Sequence, residues 1–164
     1  MTVDRVLGEA ARLGCPLVEV TGGEPLAQPA TIELLARLAD AGFETLMETN
    51  GSMDIAPVDP RVARIVDFKC PSSGQSRHNL WSNVSHLTAR DEVKFVLADR
   101  ADFDFATEAV ARHELPARCC VIFQPVAGML DPARLADWIL TEQLGVRLGL
   151  QLHKIIWPGK ERGV

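Results

Sequence analysis

The hydrophobic positions of the chain follow two alternating spacings, which predict helices that alternate with strands. Apolar residues recur at helical spacing over Val3–Leu13, a segment closed by Gly14, and a short apolar, partly β-branched run follows at Leu17–Val20. The same alternation continues toward the C-terminus. It predicts further helices at residues 31–41, 101–113 and 131–144, and further strands at 44–49, 64–70, 91–98, 118–123 and 146–153.

Strands that alternate with helices through short links indicate βα units and a parallel sheet. Six predicted strands favour an open or partial (βα) barrel over a complete eight-fold barrel, which takes about 250 residues. The polar stretch at residues 75–90 interrupts the alternation and is predicted to be irregular. We therefore predict an α/β fold, a partial (βα) barrel, in a single domain over residues 1–164.

Charge and composition narrow the choice of ligand. The net charge of −5 argues against a nucleic-acid backbone as ligand, because phosphate binding needs clustered Lys and Arg. Apolar runs are only a few residues long, whereas a membrane span takes roughly 20. The N-terminal residues carry acids and lack the apolar core of a secretory signal. We expect a cytoplasmic protein with a small-molecule ligand, with no nucleic-acid or membrane partner.

The four cysteines do not form a metal-binding spacing. Cys15, Cys70, Cys119 and Cys120 contain no CxxC or CxxxC pair, and disulfides are unexpected without an export signal. The adjacent Cys119 and Cys120 would point to opposite faces of a strand. We interpret all four as reduced, buried thiols that act as small hydrophobic residues.

Polar or glycine-rich motifs follow five of the predicted strands. They are TGGEP at 21–25, ETNGS at 48–52, KCPSSG at 69–74, QP at 124–125 and HK at 153–154. In parallel α/β folds the carboxyl ends of the strands converge on one face and line the binding site. The sequence therefore predicts one site at this edge of the sheet.

Each motif also has a purely local interpretation. The glycine pair 22–23 and the Asn-Gly pair 50–51 could be turns, and residues 71–74 a loop. Glu24 could be an acid at a helix N-terminus, and His153 a satisfied histidine near a strand end. The order of the motifs along the chain decides between these interpretations.

The strand that enters TGGEP resembles the S-adenosylmethionine-binding glycine motif of radical S-adenosylmethionine enzymes. The segments ETNGS, DFKCPSSG, DEVKFV, FQPV and QLHKIIWPGKERGV resemble the 7-carboxy-7-deazaguanine synthase family in order and spacing, over about residues 3–164. TGGEP marks only the superfamily, whereas KCPSSG and QLHKIIW together are much more specific.

The resemblance implies a lyase of queuosine and deazapurine precursor biosynthesis. It would convert 6-carboxy-5,6,7,8-tetrahydropterin to 7-carboxy-7-deazaguanine and release ammonia by a radical ring contraction. The implied cofactors are S-adenosylmethionine, a [4Fe-4S] cluster and Mg²⁺. The implied partners are the pterin substrate, an electron donor such as flavodoxin, and a second copy of the chain in a homodimer.

The resemblance also implies roles for individual residues. Gly22 and Gly23 would let the backbone approach the methionine part of the cofactor, and Glu24 would orient that loop or accept from the ammonium. The remaining cofactor-binding residues would be two that offer hydroxyl and backbone donors, Ser72 and Ser73, and two that border the adenosine, Gln124 and Pro125.

Thr21 and His153 match residues that contact the pterin, and an imidazole can pair with its carboxylate. Lys154 and the KERGV tail could add positive charge there, and Glu48 and Asn50 are further polar candidates.

One part of the family pattern is absent from the sequence. Members carry CxxxCxxC, whose thiolates hold the cluster, after an N-terminal strand, and this sequence has no such motif. We also expect the first strand, a substrate-binding segment with an arginine, and a Mg²⁺-contacting threonine to be missing, so no metal ligand is assigned in this chain. The chain alone is predicted to be inactive. Either a late start codon or a real loss would explain this, and retention of the other motifs favours the first.

Other classes of function remain open at this point. TGGEP is shared by other radical S-adenosylmethionine enzymes, such as activating enzymes. The absent cluster motif would also suit a non-catalytic relative that binds S-adenosylmethionine or a purine. The last alternative is an α/β domain that binds no ligand, and it would require all five motifs to follow strands by chance.

Overall fold

The computed structural model describes residues 1–159 of the chain. The helices are α1 (Val3–Leu13), α2 (Thr31–Asp40), α3 (Arg100–Arg112), α4 (Pro132–Thr141) and α5 (Leu152–Ile156). The strands are β1 (Leu17–Val20), β2 (Glu44–Thr49), β3 (Ala63–Phe68), β4 (Glu92–Leu97), β5 (Cys120–Pro125) and β6 (Arg147–Leu148).

All six strands belong to one parallel sheet, and they lie in the order in which they occur in the sequence, β1 to β6. The register places Thr49 beside Val66, and Asp67 beside Lys94. In the described residues β1 and β6 do not pair with each other, so the sheet is open. The predicted α/β partial barrel is confirmed.

Local capping explains where the helices begin and end. The Thr2 hydroxyl accepts a hydrogen bond from the Arg5 amide at 3.4 Å, and α1 ends at Gly14 in the left-handed conformation that glycine adopts readily. The Asp131 carboxylate caps α4 by accepting from the Ala133 amide at 3.0 Å, and Pro132 occupies the first helical position, as the sequence predicts.

Side chains alternate across the strands and give the sheet two different faces. One face packs against the helices and is apolar. In its centre the Phe123 ring makes edge contacts with Phe95 and Phe103, each with ring centroids 5.8 Å apart. The other face is concave and polar, because charged residues occupy the intervening positions of β2, β3 and β4. This concave face carries the candidate site.

The segment at 75–90 is irregular, as predicted, but it is packed onto the barrel. It contains short 3₁₀ turns at Ser76–His78 and Trp81–His86. The Trp81 ring lies between Phe68 and His113, with centroid distances of 4.5 and 4.6 Å. These stacked rings fix the excursion that joins β3 to β4.

The predicted strand at 146–153 is wrong beyond its first residues. Strand β6 comprises only Arg147–Leu148, and His153 lies on the short helix α5. The Gly149 amide donates to the Phe123 carbonyl at 2.8 Å, after which the chain leaves the sheet. Periodicity cannot detect this end, because apolar residues at 148, 150 and 152 fit a strand equally well.

The interpretation of the cysteines is correct only in part. All four cysteines lie in the described region and are free, but Cys15 is exposed and Cys120 is half-buried. Cys70 and Cys119 are buried, and burial raises the pKa of the Cys119 thiol to about 11.

Within residues 1–159 we find no helix whose length and apolar character would allow it to cross a membrane.

Candidate functional site at the carboxyl ends of the strands

Two adjoining cavities lie on the concave face at the carboxyl ends of the strands. The larger has a volume of about 640 Å³ and extends from β2 to α5. The smaller has a volume of about 170 Å³ and lies between the glycine loop after β1 and the ends of β2 and β3. Three charged residues line both: Glu48, Asp67 and Lys69. We call the two spaces the large cavity and the glycine-loop cavity.

The structure brings the five sequence motifs to these cavities. The glycine-loop cavity is lined by Thr21, Gly22, Gly23, Glu48, Thr49, Asn50, Asp67 and Lys69. The predicted site residues on the large cavity are Glu48, Ser72, Ser73, Gln124 and His153.

The glycine loop has a backbone conformation that favours glycine. Gly22 and Gly23 have φ angles of 100° and 58°, in the left-handed region that residues with a Cβ rarely adopt. A Cβ atom placed on either residue would meet nothing within 4 Å. The space above both residues is therefore open, and a ligand can approach the backbone closely.

Glu24 holds the glycine loop in place. Its carboxylate accepts from the Leu26 amide at 3.1 Å, from the Thr49 hydroxyl at 2.9 and 2.8 Å, and from the Asn50 amide at 2.8 Å. Glu24 lines neither cavity. Of the two roles considered from the sequence, this geometry favours orientation of the loop. The same contact with Leu26 makes Glu24 the cap of a short turn, Pro25–Ala27.

The two serines differ from the expectation that they offer donors to a ligand. The Ser72 amide donates to Asp102 Oδ1 at 3.0 Å, and the Ser72 hydroxyl donates to Asp102 Oδ2. The Ser73 hydroxyl donates to the Cys70 carbonyl at 2.6 Å, and the Ser73 amide to the same carbonyl at 3.1 Å. The donors of both residues are thus used within the protein, and the Ser73 hydroxyl oxygen also accepts from the Gln75 amide at 3.2 Å.

Gln124 and Pro125 lie on opposite faces of β5. Gln124 is half-buried and lines the large cavity, whereas Pro125 is buried and lines a separate space of about 240 Å³ beside α4. Adjacent residues of a strand point to opposite faces of the sheet, because side chains alternate along the strand. Of the two residues expected to border the adenosine, only Gln124 lines the large cavity.

The C-terminal residues also separate. His153 is half-buried and lines the large cavity, whereas Lys154 is exposed and lines the space beside Pro125. The interpretation of Lys154 as a charge near the pterin is not supported by this placement. The KERGV tail, residues 160–164, lies outside the described residues.

Sequence reasoning missed the charged floor of the large cavity. Asp67, Lys69 and Lys94 lie there beside Glu48. Lys94 Nζ pairs with the Glu48 carboxylate, and Lys69 Nζ lies 2.7 Å from Asp67 Oδ2. Charged residues at alternate positions of otherwise apolar strands, in DFK and EVKFV, were the available signal.

Burial affects the ionisation of these acids. Asp67 is only 8% exposed, and burial raises the pKa of its carboxyl group above the ordinary value although Lys69 opposes the shift. The pKa of Glu19, on the same face of β1, is also raised, by burial first and then by the negative charge of Glu48. Asp67 and Glu19 on the concave face therefore ionise less readily than free carboxyl groups.

The described residues offer no metal site. No group of three or more His, Cys, Asp or Glu side chains within residues 1–159 could hold a metal ion. The printed sequence contains no CxxxCxxC. The residues of this chain therefore do not fit an iron–sulfur cluster, and we assign no reaction step to a cluster.

The fold and the cavities define a class of protein: an open parallel α/β barrel with a candidate site at the carboxyl ends of its strands. Solved structures share this fold. QueE from Escherichia coli aligns with a TM-score of 0.68 at 21% identity over 92% of this chain and 64% of that one. Streptococcus suis SuiB, bound to S-adenosylmethionine, aligns with a TM-score of 0.61 at 11% identity over 97% of this chain and 45% of that one.

Sequence relatives give the particular family. The 7-carboxy-7-deazaguanine synthase of Chlorobaculum tepidum is 44% identical over all of this chain and 76% of its own length. That of Koribacter versatilis is 41% identical over all of this chain and 79% of its own length. No protein-family profile matches the chain. The chain belongs to the 7-carboxy-7-deazaguanine synthase family, and the resemblance seen in its motifs is confirmed.

Proposed function

We propose that this chain provides the S-adenosylmethionine and pterin sites of a lyase that converts 6-carboxy-5,6,7,8-tetrahydropterin to 7-carboxy-7-deazaguanine with loss of ammonia. Family membership supports the reaction. The assignment of the two sites rests on one observation: the motifs that follow five of the strands meet at two adjoining cavities. The route leads to queuosine and related deazapurines.

The glycine-loop cavity, of about 170 Å³, would take only the methionine end of S-adenosylmethionine, and the rest of the cofactor would extend into the large cavity. The left-handed Gly22 and Gly23 leave open space over the backbone, and Glu24 fixes the loop from behind. S-adenosylmethionine is the family's source of the radical that begins the reaction. The part of this chain is to bind the cofactor and to orient it toward the large cavity.

The pterin fits the large cavity. Its polar lining offers Gln124 as an amide and His153 as an imidazole that can pair with the substrate carboxylate, while Thr21 stands at the glycine-loop end. The volume of about 640 Å³ lies within the range of about 300–1,000 Å³ that small-molecule sites occupy. Charged side chains on the floor would position the polar edge of the ring.

Other features of the proposal come from the family resemblance. They are Mg²⁺ as a substrate-binding ion, an electron donor such as flavodoxin, a homodimer, and a cytoplasmic location. We assign no residue of this chain to Mg²⁺, because the described residues contain no suitable ligand group.

Ligand binding tests the site assignment in this chain. Calorimetry with S-adenosylmethionine and with 6-carboxypterin, a stable pterin analogue, should give one site for each. His153→Ala should weaken the pterin much more than S-adenosylmethionine, and Lys154→Ala should change neither, because Lys154 lies outside the large cavity. Equal losses of both ligands in His153→Ala would contradict the assignment.

Turnover tests the reaction. Two samples should be reconstituted anaerobically with iron and sulfide: the 164-residue chain and any longer form that the gene encodes upstream in frame. Each is then assayed for 7-carboxy-7-deazaguanine. Product from the longer form alone would support the lyase. Ligand binding without product from either form would favour a non-catalytic relative.

A further inference from the structure

Residues 150–157, which we call the C-terminal strap, form a wall that is shared by two spaces. Leu150 and Gln151 line both the large cavity and the apolar space of about 240 Å³ beside α4. Further along the strap, His153 lines the large cavity, whereas Ile155 lines the apolar space. The position of the strap therefore sets the size of both spaces.

A second segment lines the same two spaces. It consists of residues 124–132, from the end of β5 to the start of α4, and we call it the β5–α4 loop. One hydrogen bond joins the strap to this loop, from the Ala127 amide to Gln151 Oε1 at 3.1 Å. A movement of the strap toward the β5–α4 loop would narrow both spaces together.

The strap has few attachments to the barrel. The Gly149 amide makes the last bond to the sheet, at 2.8 Å to the Phe123 carbonyl. Beyond it, the bond at Gln151 is the one hydrogen bond between the strap and the rest of residues 1–159, because the other bonds of the strap are internal. Helix α5 has no buried residue. Segments with few buried contacts and few hydrogen bonds move at a low cost in free energy.

The apolar side chains of the strap are not packed. Leu152, Ile155 and Ile156 are exposed, and their i, i+3, i+4 spacing puts them on one side of a helix. Ile155 is 63% exposed although it lines the apolar space, so it stands at the mouth of that space without filling it. Leu130 and Pro132 of the β5–α4 loop line the same space. Entry of Ile155 would be favourable, because its apolar surface would leave water.

A ligand in the large cavity would favour this movement. A ligand shifts an equilibrium between two conformations only if it binds one of them better. His153 belongs to the strap and lines the large cavity, so a carboxylate ligand that pairs with its imidazole binds better when the strap is close. Ordering the strap costs conformational entropy. The contact of the ligand with His153 and the burial of Ile155 together offset that cost.

We propose that the strap is a lid, which closes onto the β5–α4 loop when the pterin occupies the large cavity, brings His153 onto the ligand and seats Ile155 in the apolar space. The inference rests on the proposed function, because the ligand that closes the lid is the pterin. It makes Ile155 a determinant of pterin affinity although Ile155 does not line the large cavity. The closed lid also separates the ligand from solvent.

Hydrogen exchange, measured by mass spectrometry on the complete chain, tests the closure with 6-carboxypterin as the ligand. A saturating concentration should slow exchange in the peptide that contains α5 by about tenfold or more, because closure shields its amides from water. The peptide that contains α1 lies outside both spaces and should exchange at an unchanged rate. Each measurement is made at two protein concentrations.

Ile155→Ser tests the seating of Ile155, since it keeps every residue that lines the large cavity. We expect it to bind 6-carboxypterin about 5- to 30-fold more weakly, mainly through faster dissociation, because one apolar side chain is no longer buried on closure. Ile155→Leu keeps the apolar volume and should stay within about threefold of the wild type.

Leu140→Ser is the matched control. Leu140 is 73% exposed on α4 and lines neither space, so this variant makes a similar change in polarity away from the lid. We expect its affinity for 6-carboxypterin to stay within about twofold of the wild type. Thermal unfolding of each variant shows that the fold is retained.

Three results would contradict the lid while the proposed function still stands. The first is binding of 6-carboxypterin without slower exchange in α5. The second is an Ile155→Ser variant that binds 6-carboxypterin as tightly as the wild type. The third is slow exchange in α5 without ligand at the higher protein concentration only, which would show that a second copy of the chain covers these apolar side chains. If calorimetry shows that the wild type does not bind 6-carboxypterin, the proposed function fails and this inference fails with it.

Discussion

The Thr49 hydroxyl donates hydrogen bonds to both oxygens of the Glu24 carboxylate, at 2.9 and 2.8 Å. Thr49 ends β2 and is buried, whereas Glu24 belongs to the loop that follows β1. The conformation of the glycine loop thus depends on a neighbouring strand that lies 25 residues further along the chain. This contact connects the glycine loop to the core of the barrel.

Replacement of Glu24 tests this connection. Glu24→Ala leaves the Thr49 hydroxyl and the Asn50 amide without their acceptor, so we expect a loss of about 1–3 kcal/mol in the free energy of unfolding. Hydrogen exchange at the Asn50 amide should accelerate, and S-adenosylmethionine should bind more weakly. Urea unfolding, amide exchange and calorimetry measure the three effects.

Glu33→Ala is the control, since Glu33 is an exposed residue of α2 whose one ion pair within residues 1–159 is with Arg37, at 3.5 Å. We expect its effect to stay within about 0.5 kcal/mol. Weaker cofactor binding in Glu24→Ala with unchanged exchange at Asn50 would show instead that the carboxylate contacts the cofactor directly.

Gly23→Val should abolish S-adenosylmethionine binding because the new side chain would fill the space that the ligand needs. The φ angle of Gly23 is 58°, so the variant also acquires backbone strain of about 1–2 kcal/mol. Gly14→Val is matched for this strain, since Gly14 has a φ angle of 67°, has nothing within 4 Å of a Cβ, and lies outside both cavities. Calorimetry should show lost binding in the first variant and retained binding in the second. Equal affinities in the two variants would count against the glycine-loop site.

Gly149 should control the position of His153. A Cβ at Gly149 would lie 2.7 Å from Ile122 Cγ2, so Gly149→Ala requires a shift, and we expect β6 and α5 to move away from β5. We expect a loss of about 1–3 kcal/mol in stability, typical of overpacking, and weaker binding of 6-carboxypterin.

Gly145→Ala is the control, because its nearest neighbour would be Pro116 Cβ at 3.9 Å, an ordinary contact. Ile122→Ala removes the clashing methyl group and should restore part of the pterin affinity in the Gly149→Ala background. Additive losses in the double variant would exclude the clash as the cause.

Asp91 should make the stability of the fold sensitive to acid. Asp91 and Arg64 form a buried pair at 2.6 Å with side chains 1% and 7% exposed. Burial alone would raise the pKa of Asp91, but the hydrogen bonds from Arg64 and Thr88 together lower it. A carboxyl group whose pKa is lower in the folded state stabilises the fold above its unfolded pKa of about 3.9. That contribution disappears as the pH falls through the lower folded value.

Asp91→Asn should therefore cost about 3–5 kcal/mol at neutral pH, because Arg64 loses its buried partner. The variant should also show a shallower decline in stability than the wild type between about pH 5 and pH 2. Denaturant unfolding at a series of pH values measures both effects, with the exposed Asp137→Asn as control. Parallel pH curves for Asp91→Asn and the wild type would exclude Asp91 as the source of the acid sensitivity.

Several parts of the fold follow from local sequence signals. The bounds of α1, β1 and β2 agree with the prediction, because apolar spacing and a terminal glycine are properties of neighbouring residues. The same signals place five motifs after strands, and a parallel sheet then brings them to one edge. The sequence also shows the family by motif order alone.

Contacts between residues far apart in the sequence could not be predicted from these local signals. The register that sets Asp67 beside Lys94, and the bond between Glu24 and Thr49, join residues 27 and 25 positions apart. No periodicity encodes such a pair. The partner that uses up the donors of Ser72, Asp102 on α3, is 30 positions away and could be identified only once α3 was placed against the end of β3.

The sequence by itself therefore determined the class of fold, the family and the edge of the sheet that carries the site. Only the tertiary structure decided which side chains face the cavities: Gln124 without Pro125, His153 on a helix, and Asp67 paired with Lys69. The physical reason is the range of the interactions. Helix and strand formation depends on residues a few positions apart, whereas a binding site depends on strand register and on close packing between segments far apart in the chain.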